Sequence, residues 1–581
     1  MSDPTHRPAA DDDAPPAVPT GPGDRLRLLE RAATLVGTTL DLFRTAEELA
    51  AVAVSGFADV AVVELLDPVL RGEAPAPGPV DARTAVRRAA VATADGVGVH
   101  GLRPAGDAWV PRFGSPHARA LSDLRPRLVP RLTADDDWLA GEPEVSALTG
   151  DHGAHSMIAV PLTVRGVPLG LVSFYRVGEH RAFGDEGVAQ AAGLAAFAAV
   201  CLDNARRYAR EKALARLVQH TLVPHRLPAH VAAETAWAYQ PVAAGGSWFD
   251  VVPVSGARIA CVVGEVAGHG MPAVSLMGQV STAVAALCAV DLDPVEILRR
   301  VHDLVVTSTT GRSTLTADGP RPEGLTVGCV LAFYDPVSAQ CTVLRAGHPA
   351  PTVLLPGGRT AVIDAPAGPA LGGQGEPSYP VTRVTLPAAS VLALHTASLP
   401  APGDALRRAL DVAGDDLDKT CDSVLTETFP DGPRDDAILF LARTRVLGDD
   451  RTHAWPLPNR AESAAEARRV TARQLAEWGL DELIPSTQLL VSELVTNGVR
   501  YSGGDIELRL IVRENTLSCE VTDSGSAAPT LRRAQDDDEG GRGLFLVAQF
   551  TLDWGVRPNS RGKTIWTEQL LPGREQDEAE D

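Results

Sequence analysis

The sequence predicts a mixed α/β protein built from several domains. At 581 residues the chain is longer than one hydrophobic core usually organises, so three or four domains are expected. Apolar residues at helical spacing alternate along the chain with short apolar runs that are typical of strands. A polar leader and short charged connectors lie between these segments, where domain boundaries are expected.

Charge and composition exclude several classes of protein. The formal net charge of -21, from 74 acidic and 53 basic residues, argues against direct binding of DNA or RNA. The 7 cysteines are scattered without a CxxC pair, a pattern that suits a reducing compartment. The most apolar stretch, residues 191–202, is shorter than the roughly 20 residues of a membrane span, and the amino terminus has no signal-peptide pattern. We therefore expect a cytoplasmic protein without membrane segments.

The first domain is predicted over residues 25–205, after a disordered leader at residues 1–24 that has almost no large apolar side chains. Residues 156–175 show two apolar strands separated by Arg165 and Gly166, a hairpin pattern, and a helix follows. This arrangement resembles a GAF sensory domain, which implies an α/β sensor fold. Because no haem, metal or cyclic-nucleotide signature is present, a ligand-free module and a small-ligand sensor both stay open.

A charged helix is predicted as a linker over residues 206–228. Alanine and leucine repeat in it at intervals of three and four residues, so one face is apolar. Such a helix can join two chains, in which case the GAF domain and linker form a homodimer. It can equally pack on its own domain.

The middle region, residues 229–445, carries a series of short polar motifs. They read GGSWFD at residues 245–250, GEVAGHG at 264–270, RAGHP at 345–349 and RDDAIL at 434–439. In this order they resemble the SpoIIE-type branch of PPM serine/threonine phosphatases. The resemblance implies an α/β/β/α sandwich in which carboxylates hold two Mn²⁺ or Mg²⁺ ions that activate water against phosphoserine.

The metal site implied by this resemblance is incomplete. Its aspartate positions fall on Ser247, Glu265, Ala397 and Asp435, so only Glu265 and Asp435 keep a carboxylate. Losing about half of the anionic ligands should weaken binding of a divalent cation by several kcal/mol. We therefore expect a pseudophosphatase that docks a phosphoprotein or relays a signal. An active phosphatase that uses Glu265 and Asp435, with help from nearby aspartates, is the alternative.

The carboxy-terminal region begins after a linker at residues 446–452 and is predicted over residues 453–573, followed by an acidic tail at 574–581. Its motif-bearing helix covers residues 488–501. Glu493 and Asn497 are four residues apart and share one helical face. A carboxylate can accept a proton, and a carboxamide oxygen suits a hard cation.

Three further motifs follow this helix. A predicted strand ends in TDSG at residues 522–525, EGGRGL at 539–544 opens a helix, and RGKT at 561–564 precedes the last strand. Glycines allow the backbone to approach phosphates closely, and a helix amino terminus favours their charge. Residues 527–538, between the first two motifs, are expected to form a lid.

These four elements, in this order, resemble the GHKL ATPase domain of the serine kinases that act in anti-sigma-factor switches. The resemblance implies a two-layer α/β fold that binds ATP with Mg²⁺. It implies that Glu493 is the general base, that Asn497 holds Mg²⁺, and that Asp523 and Thr564 contact adenine. The glycine-rich residues of the pocket would be Gly525, Gly541, Arg542 and Gly543.

The combined resemblances imply a cytoplasmic regulator of a sigma factor. In the first hypothesis the carboxy-terminal domain phosphorylates a serine of a STAS-type anti-sigma antagonist. The alternatives are a metal-dependent phosphatase that removes the same phosphate, and a non-catalytic scaffold gated by ATP. A histidine kinase is disfavoured, because His220 on the linker is followed by TLVP and lacks an adjacent acidic residue.

Overall fold

Antiparallel sheets organise every domain of the chain. A computed structural model describes residues 22–572, except residues 82, 99, 134, 225, 243–244, 314–323, 414–415, 526–542 and 560–561. The acidic tail and most of the predicted leader lie outside this described part. The chain divides between Leu214 and Ala215 into two units.

The first unit has a six-stranded antiparallel sheet in the order β3-β2-β1-β6-β5-β4. The predicted hairpin is confirmed as β5 and β6, and Arg165 and Gly166 have φ angles of 50° and 79°, as a two-residue turn of the primed type requires. The elements are α1 (Pro22–Leu35), α2 (Leu42–Val54), β1 (Val60–Leu66), α3 (Asp67–Leu70), β2 (Val86–Thr93), β3 (Ala108–Trp109), α4 (Pro116–Asp123), β4 (Arg127–Val129), α5 (Pro143–Asp151), β5 (Ala154–Val164), β6 (Val167–Val177) and α6 (Asp185–Leu222).

Helix α6 runs without a break for 38 residues. The linker helix predicted at residues 206–228 is therefore the continuation of the last helix of the first domain. By length and composition, α6 and α7 (Met271–Ala289) are apolar enough to cross a membrane, but 50% and 39% of their apolar windows are buried inside the protein. Two such helices are weak evidence for a membrane span, because the core helices of soluble proteins have the same length and composition.

The middle domain is a sandwich of two five-stranded sheets, in the orders β14-β11-β10-β9-β8 and β13-β12-β15-β16-β7. Besides α7, its elements are β7 (Ala233–Gln240), β8 (Trp248–Val254), β9 (Arg258–Val266), α8 (Pro294–Ser313), β10 (Val327–Asp335), β11 (Gln340–Ala346), β12 (Thr352–Leu354), β13 (Thr360–Val362), β14 (Thr382–Thr385), β15 (Val391–His395), α9 (Gly403–Ala413), α10 (Leu417–Thr428) and β16 (Ala437–Thr444).

Alternating side chains of the two sheets fill the space between them. Phe249 of β8 lies against Phe440 of β16 with ring centroids 6.4 Å apart, and both are fully buried. The outer face of one sheet packs against α7 and α8, and that of the other against α9 and α10. The predicted α/β/β/α order is confirmed.

The carboxy-terminal domain has a five-stranded antiparallel sheet in the order β17-β18-β19-β21-β20. One face of the sheet packs against the helices, with Leu490 and Leu494 fully buried against Val521 and Ile565. The predicted two-layer α/β fold is confirmed. Its elements are β17 (Thr452–Leu457), α11 (Ser463–Glu477), α12 (Ile484–Tyr501), β18 (Ile506–Val512), β19 (Thr516–Asp523), α13 (Gly543–Phe550), β20 (Asp553–Asn559) and β21 (Gly562–Leu570).

The other face of this sheet contacts the turn between β8 and β9 of the middle domain, within the second unit. Arg557 donates two hydrogen bonds to the carboxylate of Glu520, at 2.7 and 2.8 Å, and a third to Ser255 Oγ at 2.7 Å. Gly256 has φ +68°, and a Cβ there would lie 1.9 Å from Glu520 Oε1. The turn therefore needs glycine both for its backbone and for its close approach to Glu520.

Glu520 is only 2% exposed and is surrounded by arginines. Burial disfavours its charged form, but the charge and hydrogen bonds of Arg557, together with the charges of Arg509 and Arg258, outweigh burial and lower the pKa of Glu520. Arg258 in turn contacts Asp291 at 2.6 Å. Charge compensation across the two domains thus holds the buried carboxylate ionised.

Removing the charge of Glu520 should destabilise the second unit. We expect Glu520→Gln to lower the free energy of unfolding by about 3 kcal/mol, because Arg557 would stay buried without a counter-ion. Urea unfolding followed by tryptophan fluorescence measures the change. The control is Glu427→Gln, which removes the exposed ion pair with Arg408 and should leave the transition unchanged. Equal transitions for the two variants would contradict this account.

Candidate functional site

The motif helix α12 carries Glu493 and Asn497 on one half-buried face. The adjoining side of the helix is anchored in the core through Leu490, Leu494 and Val495, all fully buried. This amphipathic division fixes the rotation of the helix about its axis. Glu493 and Asn497 have no hydrogen-bond partner among the described residues, so both side chains are available to a ligand or substrate.

Gly498, which follows Asn497 in α12, lies against the end of β19. A Cβ on Gly498 would lie 3.8 Å from the Cβ of Asp523 and 3.0 Å from Ile506 Cδ1. The glycine therefore allows α12 to sit close to the sheet, which offsets its cost of about 1 kcal/mol inside a helix. Asn497 is thereby placed beside the strand end that carries Asp523.

Asp523 is held by two donors on one of its oxygens. Lys563 Nζ lies 2.9 Å and the Gly525 backbone N–H 2.7 Å from Asp523 Oδ1. The two side chains stand opposite each other in the β19–β21 register, and both are more than nine-tenths buried. Gly562 permits this approach, since a Cβ there would lie 2.3 Å from the Asp523 carbonyl oxygen. Sequence reasoning missed Lys563, although strand alternation places it on the same face as Asp523.

The expected adenine contact through Thr564 needs correction. Thr564 pairs with Thr522 in the register, and its hydroxyl lies 2.8 Å from Thr522 Oγ1 and accepts a 2.8 Å hydrogen bond from Asn559 Nδ2. Successive side chains of a strand point to opposite faces, so Thr564 is on the sheet face away from Asp523. Lys563, and not Thr564, therefore lies beside Asp523.

The glycine-rich motif is only partly within the described residues. Gly541 and Arg542 lie outside them, as does the predicted lid at residues 527–538, and Gly543 is the first residue of α13. Gly525 is described, and a Cβ there would lie 2.9 Å from Lys563 Nζ and 3.0 Å from the Tyr501 carbonyl oxygen. A side chain at residue 525 would therefore fill the space in front of Asp523 and Lys563.

The phosphatase-like domain has a pocket of about 480 Å³ at the end of its sandwich. Ser247, Glu265, Ala397 and Asp435 all line it, so the structure brings the four expected metal positions together. Burial is the main reason that the pKa of Glu265 is raised; the Ala397 N–H opposes this increase and the charge of Asp435 adds to it. No group of three or more potential metal-ligating side chains occurs among the described residues. The residues present do not fit a two-metal centre.

The nearby aspartates do not complete the site. Asp436 accepts hydrogen bonds from Gln219 Nε2 at 2.8 Å, Tyr239 Oη at 3.0 Å and the Val242 N–H at 2.9 Å. Asp250 is absent from the pocket lining, and its Oδ1 accepts from the Val251 N–H. The hydrogen bonds of Asp436 anchor α6 and β7. The structure therefore does not support the idea, part of the alternative phosphatase hypothesis, that nearby aspartates replace the missing metal ligands.

The GAF-like domain encloses a cluster of charged side chains. Arg88 contacts Glu64 at 3.0 Å and Glu144 at 2.7 Å. His117 contacts Glu142 at 2.6 Å, and although burial opposes it, this carboxylate raises the pKa of His117. The cavity they line is about 10 Å³, room for about one water molecule. The charged side chains fill most of this cavity, so it has no room for a larger ligand.

Family models match three parts of the chain. A GAF domain model matches residues 80–202, a Stage II sporulation protein E (SpoIIE) model matches residues 255–445, and a histidine kinase-like ATPase domain model matches residues 457–568. The chain therefore carries a GAF domain, a SpoIIE-type phosphatase-like domain and a histidine kinase-like ATPase domain, in that order. The three resemblances seen in the sequence are confirmed.

The solved structures that match this chain are distant from it in sequence. The RsbU and RsbW domains of Rv1364c from Mycobacterium tuberculosis share 22% identity, covering 60% of this chain and 96% of that one, with a TM-score of 0.33. The SpoIIE phosphatase domain from Bacillus subtilis shares 13%, covering 38% and 96%, with a TM-score of 0.27. RsbX in complex with magnesium shares 17%, covering 38% and 98%, with a TM-score of 0.27. At these values we draw no functional conclusion from them.

The raised pKa of Glu265 predicts a pH-dependent stability. A carboxyl whose folded pKa lies above its ordinary value of 4.5 stabilises the fold at low pH and loses that contribution as the pH rises through the folded pKa. Glu265→Gln should therefore be more stable than the wild type at neutral pH, and the difference should vanish below about pH 4. Thermal unfolding across this range measures the effect.

The matched control is Glu376→Gln, at an exposed glutamate of the same domain. The stability gained by Glu265→Gln at neutral pH should be smaller in an Asp435→Asn background, because the negative charge of Asp435 contributes to the raised pKa of Glu265. A Glu265→Gln variant that is less stable at neutral pH would mean that the carboxylate has a favourable partner there, such as a cation.

Proposed function

We propose that this chain is a partner-switching regulator whose carboxy-terminal domain phosphorylates a serine of a STAS-type anti-sigma antagonist with ATP and Mg²⁺. The observation that carries the proposal is the placement of Glu493 and Asn497 one helical turn apart, on a half-buried face whose next residue, Gly498, packs beside Asp523. The ATPase domain supplies the nucleotide pocket, and the antagonist would control the availability of a sigma factor.

In the proposed reaction the substrate serine Oγ attacks the γ-phosphorus of ATP. The Oγ–P bond forms as the bond from the γ-phosphorus to the bridging oxygen breaks, ADP leaves, and the serine proton passes to Glu493. Mg²⁺ would neutralise the charge that develops on the phosphates. Asn497 would hold that ion through its side-chain oxygen. Asp523 would orient the adenine, while Gly525, Gly541, Arg542 and Gly543 would line the nucleotide and phosphate path.

The phosphatase-like domain would serve in docking or signal relay. Its pocket keeps its volume, but two of the four ligand positions, Ser247 and Ala397, have no carboxylate. Gln219 of α6 donates to Asp436, the residue after Asp435, so the pocket edge is tied to the helix that leaves the GAF domain. This bond gives a physical route by which movement of α6 would reach the pocket.

Two properties of the assembly belong to the same proposal. We infer a cytoplasmic location, because all three domains are of kinds that typically occur in soluble signalling proteins. We also infer a homodimer through the GAF domain and α6. Val200, Tyr208 and Leu214 of this helix are exposed and lie within about a third of its circumference. Asn204, Arg207 and Glu211 are exposed on the same face, so a second copy of the helix would meet both apolar and polar side chains there.

The kinase proposal is tested with purified full-length chain, labelled ATP, Mg²⁺ and a panel of STAS-domain proteins. Glu493→Gln should lower phosphoserine formation about 100-fold or more, because the proton acceptor is lost, while ATP affinity changes little. Nucleotide affinity is measured separately by calorimetry. The control is Glu477→Gln, at an exposed glutamate of the neighbouring helix α11.

The outcomes separate the competing functions. Phosphate transfer that persists in Glu493→Gln would contradict the assigned base. ATP binding without transfer to any STAS protein would favour the ATP-gated scaffold. Release of phosphate from a phosphorylated STAS protein on addition of Mn²⁺, abolished by Asp435→Ala, would favour the phosphatase.

A further inference from the structure

We propose that Lys563 determines nucleotide specificity by donating a hydrogen bond to N1 of adenine, while Asp523 accepts one from the exocyclic amino group. The inference rests on the proposed function, since it concerns how the ATPase domain selects its nucleotide. Lys563 lies at the amino end of β21 and Asp523 at the carboxyl end of the adjacent strand β19. Together they present one donor and one acceptor at the same edge of the sheet.

The contacts of the pair leave hydrogen-bonding capacity on both groups. Among the described residues, the Lys563 ammonium donates to Asp523 Oδ1 at 2.9 Å and to the Gly525 carbonyl oxygen at 3.3 Å. An ammonium has three donors, so one remains. The Gly525 N–H also binds Asp523 Oδ1, and Oδ2 has no partner among the described residues. One donor and one carboxylate oxygen are thus left for a ligand.

The backbone around the pair keeps the adjoining space clear. A Cβ on Gly525 would lie 2.9 Å from Lys563 Nζ and 3.0 Å from Asp523 Oδ1, and a Cβ on Gly562 would lie 2.3 Å from the Asp523 carbonyl oxygen. Both positions are therefore restricted to glycine by close approach. At Gly525 the absence of a side chain leaves the space beside Lys563 Nζ and Asp523 Oδ1 to a ligand.

The donor and acceptor pattern matches adenine and opposes guanine. On its Watson–Crick edge adenine offers an amino donor beside the N1 acceptor, whereas guanine offers a carbonyl acceptor beside an N1–H donor. A guanine in the same pose would set its carbonyl against the Asp523 carboxylate and its N1–H against the Lys563 ammonium. Because both side chains are more than nine-tenths buried, water would not relieve either mismatch.

The test measures calorimetric binding of ATP, 1-deaza-ATP and GTP, each with Mg²⁺, to the full chain. In 1-deaza-ATP a C–H replaces N1, so only the proposed contact with Lys563 is lost. The wild type should bind ATP about 10- to 100-fold more tightly than 1-deaza-ATP, as expected for a charge-assisted hydrogen bond in a desolvated site. In Lys563→Met the affinities for ATP and 1-deaza-ATP should become equal, and the preference for ATP over GTP should become smaller.

Two variants control the comparison. Lys419→Met removes a lysine whose ion pair with Asp416 is exposed, and it should keep the wild-type ratios. Lys563→Arg keeps a cationic donor and should retain part of the preference for ATP over 1-deaza-ATP. Thermal unfolding of each variant shows whether the fold is kept. If Lys563→Met does not fold, the ratio of ATP to 1-deaza-ATP affinity in the wild type and in Lys563→Arg still tests the proposal.

The results distinguish a failure of this inference from a failure of the proposed function. If the wild type binds ATP but binds 1-deaza-ATP equally well, Lys563 does not read N1 and the inference is overturned while the proposed function stands. If Lys563→Met folds and keeps the wild-type ratio of ATP to 1-deaza-ATP affinity, the inference is likewise overturned. If the wild type binds none of the three nucleotides, the proposed function itself fails.

Discussion

The alternation of side chains along β19 and β21 is the constraint on which the carboxy-terminal half of the protein depends. The antiparallel register sets Asp523 opposite Lys563 on the helix side of the sheet. The same register sets Glu520 opposite Trp566 on the other side, where Arg557 and the turn at Gly256 meet Glu520. One pair of strands therefore presents the candidate nucleotide site on one face and the domain interface on the other.

The sheet therefore connects the candidate nucleotide site on one face to the contact with the middle domain on the other face. A shift of β19 or β21 by one residue would exchange the two faces, removing Asp523 from the pocket and burying it against the middle domain. The charge network at Glu520 opposes such a shift because it compensates a buried carboxylate only in the observed register. The interface thus stabilises the geometry of the site on the opposite face.

The phosphatase-like domain has the architecture implied by the sequence, and Ser247 and Ala397 stand at two of the four ligand positions that the resemblance implies. The sandwich core depends on apolar alternation, which the loss of pocket carboxylates does not affect. The acidic groups that remain near the pocket have other surroundings: Asp436 is tied to Gln219 and Tyr239, and the pKa of Glu265 is raised mainly by burial. Fold and metal chemistry are separable here because the core side chains lie within the strands, whereas Ser247, Ala397 and Asp435 lie just outside the strand ends.

Much of this organisation was predictable from the sequence. The hairpin at Arg165 and Gly166, the sandwich and the two-layer domain follow from apolar periodicity and short motifs, which are local signals. The shared face of Glu493 and Asn497 follows from helical spacing in the same way. The role of Asp436 was not predictable, because Gln219 lies far from it in sequence. The sheet face on which Thr564 lies was not predictable, because a motif match carries no information on strand register, which is fixed by pairing with β19.

We propose that divalent cations bind at the carboxy-terminal nucleotide site and not in the middle domain. The most direct test is the number of Mn²⁺ or Mg²⁺ ions bound per chain, measured by native mass spectrometry with and without a non-hydrolysable ATP analogue. The account predicts no tightly bound ion without nucleotide and about one with it. Two ions bound without nucleotide, and lost in Asp435→Ala, would contradict the account.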